Sequence, residues 1–113
     1  MSTEKIKYLN SYLEVKDNEI CKIKENIQSL KNTKDEYLDT KLCIEEKISE
    51  LENKEDISEN DMIHIQSLKD NLNTYVNDIV LLTLEIASLN EMLEDLEFDY
   101  KMVQEEISSL ENN

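Results

Sequence analysis

Apolar side chains recur at alternating spacings of three and four residues along nearly the whole chain, with a single interruption. The first run comprises Ile6, Leu9, Leu13, Ile20, Ile23, Ile27, Leu30, Tyr37, Ile44, Ile48 and Leu51 in one unbroken phase. The second comprises Ile65, Leu68, Leu72, Tyr75, Ile79, Leu82, Ile86, Leu89, Leu93, Leu96, Tyr100, Val103, Ile107 and Leu110. A mean repeat of about 3.5 residues keeps one stripe of a helix turned toward its partner, so the pattern specifies supercoiled helices. Neither glycine nor proline occurs in the 113 residues, so connections between helices are few and short.

The phase slips between Leu51 and Ile65, and the text between them carries the signals of a new helix. Ser58 reads as an N-cap whose hydroxyl accepts from a first-turn amide. Asp61, three residues on, stands where an acid reaches back to close a capping box, and Ile57 and Met62 occupy the positions of a hydrophobic staple. Glu59 and Asp61 also favour the positive end of the helix dipole. A similar pattern at Thr33-Lys34-Asp35-Glu36 leaves the phase undisturbed through Leu30, Lys34, Tyr37 and Lys41, so no break is expected there. The expected fold is all-α, with helix one over about 3–54, a turn over about 55–58 and helix two over about 59–111. The whole chain, residues 1–113, then forms a single antiparallel coiled-coil hairpin that assembles further into a helical bundle.

Antiparallel pairing centred on Ser58 makes each seam layer a pair whose residue numbers sum to 116. Leu51 then meets Ile65, Ile48 meets Leu68, Ile44 meets Leu72 and Tyr37 meets Ile79. Toward the termini, Leu13 meets Val103, Leu9 meets Ile107 and Ile6 meets Leu110. Three layers break the apolar rule, with Lys16 opposite Tyr100, Lys34 opposite Leu82 and Lys41 opposite Tyr75. A lysine stem covers apolar surface while its ammonium reaches water, and a tyrosine face suits the cation. Beside the seam, Glu45–Lys69 is expected to attract, whereas Asp17–Glu97 and Glu19–Asp99 bring like charges together. The acidic stretch 91–111 comes near Lys5, Lys7, Lys16, Lys22 and Lys24.

A two-helix coil needs apolar residues only at its seam, and helix two carries more. Val76, Val80, Leu84 and Ala87 form a further stripe with Leu81 beside it, level in the hairpin with Leu38 and Leu42 of helix one. A stripe of this size marks an association surface. Leu38, Leu42, Val76, Val80, Leu81 and Leu84 are therefore the expected partner or oligomer interface. Tyr8, Tyr12, Val15, Phe98 and Met102 form a secondary candidate of residue types enriched in interface cores.

The formal net charge is −15, and all 12 basic residues are lysine. Such a surface repels phosphate backbones, so no nucleic acid partner is expected. No stretch approaches the ~20 apolar residues that span a bilayer, so no membrane insertion is expected. The N-terminus lacks the apolar core of a signal peptide. Cys21 and Cys43 lie too far apart along one helix, roughly 33 Å, to form a disulfide within it. Reduced cysteines and the absence of targeting signals indicate a cytoplasmic or nuclear location. A lone histidine, His64, and two separated cysteines supply no metal-ligand set, and no nucleophile–base pair or phosphate-binding loop is visible. Neither a cofactor nor catalysis is expected.

The function expected from these features is that of a coiled-coil scaffold or adaptor subunit, mediating protein–protein interaction within a larger complex. Its partners are protein helices, through self-association, a different chain, or both. Two alternatives use the same helices differently. One is a chaperone- or cofactor-like helical binder of a client such as a cytoskeletal subunit. The other is a parallel, rod-like dimer acting as a spacer or tether.

Overall fold

The computed structural model describes residues 2–112, and two long helices account for nearly all of them. Helix α1 runs Ser2–Glu52 and helix α2 runs Glu59–Glu111. They pack against each other as an antiparallel hairpin, the fold expected from the phase slip, and no strand occurs among the described residues. Helix α1 is continuous through Thr33, in accord with the undisturbed phase there.

The connection is built from side chains that the sequence places at the phase slip. The Ser58 hydroxyl accepts from the Asp61 amide at 3.0 Å, and the Ser58 amide donates to Asp61 Oδ2 at 3.1 Å. This reciprocal pair satisfies donors that the first turn of a helix leaves unpaired. Helix α1 ends at Glu52, two residues before the expected 54. The Asn53 amide still reaches back to the Ser49 carbonyl at 3.0 Å, but the Lys54 amide makes only a 3.5 Å contact with Leu51. Lys54 instead extends its ammonium to Asp61 Oδ1 at 3.1 Å, tying the end of α1 to the cap of α2. Both staple residues, Ile57 and Met62, remain exposed, so the reciprocal hydrogen bonds rather than apolar packing define this helix start.

Two compact units divide the chain. The terminal unit contains the residues up to Ser29 and those from Ile86 onward, and the turn unit is Leu30–Glu85. In the terminal unit Leu9, Leu13 and Ile107 are buried, with Ile6, Tyr100, Val103 and Leu110 packed around them. In the turn unit Ile48, Leu51 and Ile65 are buried, flanked by Ile44, Leu68 and Leu72. Both clusters are composed of residues from layers summing to 116, so the register follows from the heptads centred on Ser58.

Seam burial is uneven within the turn unit. Near the turn it is tight, but Leu30, Lys34, Tyr37, Lys41, Tyr75, Ile79 and Leu82 are only half-buried. Tyr37 and Tyr75 meet edge to face, with ring centroids 5.4 Å apart and planes at 84°. The expected layers pair Tyr37 with Ile79 and Tyr75 with Lys41. The rings also reach each other from adjacent layers because aromatic side chains exceed the spacing between layers. Lys41 turns outward to Glu45 at 3.0 Å, leaving its stem along the seam.

Candidate interaction surface

Heptad position explains how each off-seam apolar residue lies on its helix. With seam residues at a and d, Leu38 and Val76 are e residues, immediately beside the seam. Leu42 and Val80 are b residues on the same flank, and all four belong to the turn unit. An α2 residue lies level with the α1 residue whose number completes 116, so these four occupy nearly one level. Val76 is half-buried, whereas Leu38, Leu42 and Val80 are exposed at 41%, 57% and 52%. Leu84 and Leu81 fall at f and c, and both are exposed above 60%. A stripe stepping by four residues rotates away from a seam of period 3.5, which accounts for the rise in exposure from Val76 to Leu84. The six expected interface residues therefore divide into a four-residue patch across both helices and a pair on the outer surface of α2.

Charge is sparse along this part of α2. Residues 71–84 contain Asp78 as their one charged side chain, in a chain whose charged fraction is 35%. Asp78 occupies a g position, on the flank opposite the patch. Charge depletion around apolar residues is characteristic of interface centres. The expected Glu45–Lys69 attraction within the chain is replaced by a Lys69–Glu52 ion pair at 3.3 Å, while Glu45 pairs with Lys41. Lys69 and Glu52 are both e residues, so this ion pair runs along the edge of the same flank.

The secondary candidate lies in the terminal unit, with Tyr12 at g, Tyr8, Val15 and Met102 at c, and Phe98 at the outer f position. Tyr8, Tyr12 and Val15 line a surface groove of about 320 Å³ with Ser11 and Lys16. Phe98 and Met102 lie on α2 and do not line it, although both are well exposed. Tyr12 is not a free contact residue. Its hydroxyl donates to Asp99 Oδ2 at 2.6 Å, and the Lys16 ammonium lies 5.3 Å from its ring centre while contacting Glu19 at 3.4 Å. The bond to Asp99 is the main reason the Tyr12 phenol titrates above 10.0. For Lys16, desolvation is the largest influence and lowers its pKa, but Glu19, Tyr12 and Asp99 together outweigh it and raise the value. Glu19 and Asp99, expected to repel, each acquire a donor, Lys16 for Glu19 and Tyr12 for Asp99. Lys5 pairs with Glu106 at 3.2 Å, as the approach of lysines to the acidic stretch implies.

Two further apolar features lie outside the expected interfaces. Met92, at a g position, lines a groove of about 470 Å³ with Ile23, Leu96, Glu19, Lys22 and Asp95. Its signal was an apolar residue directly before the seam residue Leu93. Ile63 is exposed beside Met62 at the start of α2, where its signal was an apolar residue outside the 3-4 phase.

Cys21 and Cys43 are both exposed and unbridged. Among the described residues no group of three or more His, Cys, Asp or Glu is placed to hold a metal ion, and no helix is long and apolar enough to cross a membrane. Comparison of the chain with protein-family models, curated proteins and solved structures finds no match.

Proposed function

We propose that this protein is a non-enzymatic assembly subunit, a coiled-coil hairpin that joins other protein helices through the patch formed by Leu38, Leu42, Val76 and Val80. The observation that carries this reading is the coincidence of the patch with the weakest part of the seam. At the levels of Lys34, Tyr37 and Lys41 the two helices bury no side chain fully, yet apolar residues accumulate on one outer flank. A chain that needed only two helices would invest its apolar residues at the seam. Here they stand where a third or fourth helix would cover them, and covering the e and b residues would also dry the half-buried seam beneath. Leu81 and Leu84 extend the apolar surface of α2 beyond the patch, giving a larger assembly a second contact line.

A photo-crosslinking residue installed at Val80 tests this in the cell of origin. The expected result is a discrete crosslinked product, absent when the same residue replaces Asn71 on the opposite flank. Equal, diffuse labelling from both positions would overturn the reading. The groove beside Tyr8, Tyr12 and Val15 supports client binding less strongly, because the Tyr12 hydroxyl is already committed to Asp99.

A further inference from the structure

We infer that the occupant of the Leu38–Val80 patch is a second copy of this chain, forming a two-fold dimer of hairpins; the inference rests on the assembly reading above. An isologous interface brings a face onto itself, so its charges must tolerate their own pattern. Most of this surface does not, since the chain carries 27 acidic and 12 basic side chains. The e positions flanking the patch are different. They are Lys31, Glu45 and Glu52 on α1 and Met62, Lys69 and Thr83 on α2, with Glu52 and Lys69 already paired at 3.3 Å.

Two-fold stacking has two forms, and this row is complementary in both. With the turns at the same end, α1 lies on α2 of the second copy and residue levels are preserved. The facing e pairs are then Leu38 with Val76, Glu45 with Lys69 and Lys31 with Thr83. With the turns at opposite ends, α1 lies on α1 and the two Leu38 side chains meet, bringing Glu45 to Lys31. In each form Glu45 faces a lysine twice by symmetry, and no residue of this row faces a like charge. Among the described residues Glu45 pairs with Lys41 of its own helix at 3.0 Å. A neutral row with an apolar centre, on a protein of net charge −15, is the property that self-pairing demands and that a partner chosen for its basic surface would not.

Light scattering during gel filtration of the full chain, over a range of concentrations, provides the test. The expected mass is twice 13.3 kDa. Val80→Glu should return the monomer with helicity retained, because Val80 is half exposed and outside the seam. Glu45→Lys should weaken the dimer on the order of tenfold by turning two symmetric attractions into repulsions. Restoration by Lys69→Glu identifies the same-end form, and restoration by Lys31→Glu the opposite-end form. A monomer at every concentration overturns the inference, as does a dimer indifferent to both Val80→Glu and Glu45→Lys. Should the Val80 photo-crosslink then join a different protein, the assembly reading stands and self-pairing alone has failed.

Discussion

At the residue scale, the polar contacts that define the turn join partners close in sequence. The Ser58–Asp61 pair was legible because a capping box lies within four residues and needs no knowledge of the rest of the chain. Replacing Ser58 with Ala should cost about 1 kcal/mol, read as a lower midpoint in urea without a change in slope. Asp61 is held below its ordinary value of 3.8, first by the Ser58 amide and then by Lys54 and the Ser58 hydroxyl. Its folded-state value is depressed, so its contribution is present above the ordinary value and is lost as pH falls through the folded one. The Asp61→Ala variant should therefore lose its difference from the parent in strong acid but keep it near neutrality, whereas Ser58→Ala, which removes an uncharged acceptor from the Asp61 amide, should keep most of its difference in acid. The tyrosine pair was not legible, since Tyr37 and Tyr75 occupy different layers and meet only because their rings span the gap. Tyr37→Leu preserves an apolar seam residue but removes the edge-to-face contact, with an expected cost of about 0.5–1.5 kcal/mol in thermal or urea unfolding.

For the helices as elements, periodicity separates residues that hold the hairpin from residues that hold something else. Heptad phase fixed the register around Ser58, and the buried clusters at Leu9–Leu13–Ile107 and Ile48–Leu51–Ile65 follow it. The flanking charges were less legible. A carboxylate or ammonium on a long side chain chooses among several partners within a turn, as Lys69 chooses Glu52 over Glu45. The same freedom explains why α1 ends at Glu52, where Lys54 becomes a tie to α2 instead of a last helical residue. Leucine and isoleucine of similar size should therefore respond oppositely according to phase. Ile48→Ala, in the buried cluster near the turn, should destabilise by about 2–4 kcal/mol. Leu84→Ala, on the outer surface of α2, should change the unfolding free energy of the isolated hairpin by less than about 0.5 kcal/mol. Comparable losses from both would mean that Leu84 is covered whenever the chain is folded.

Across the whole molecule, charge is the property that no local pattern reveals. The ion pairs at Lys5–Glu106, Lys47–Glu50 and Lys69–Glu52 are exposed, and pairs of this kind contribute about 0–1 kcal/mol each. Against them stands the mutual repulsion of an acidic excess amounting to a net charge of −15. Salt weakens both, but the unpaired excess is the larger population, so screening should raise the unfolding midpoint. The Debye length falls from about 30 Å at 0.01 M to about 8 Å at 0.15 M, so most of the rise should occur below about 0.15 M sodium chloride. That curvature distinguishes screening from general salting-out of apolar surface, which strengthens steadily to high concentration. A dimer through the neutral Leu38–Val80 face doubles the charge held in one particle, so its dissociation should become harder over the same narrow range. Thermal scans at fixed protein concentration across that salt series check both effects. A midpoint that falls with added salt would show that the ion pairs outweigh the acidic excess, and with it would go the electrostatic argument for a face kept free of net charge.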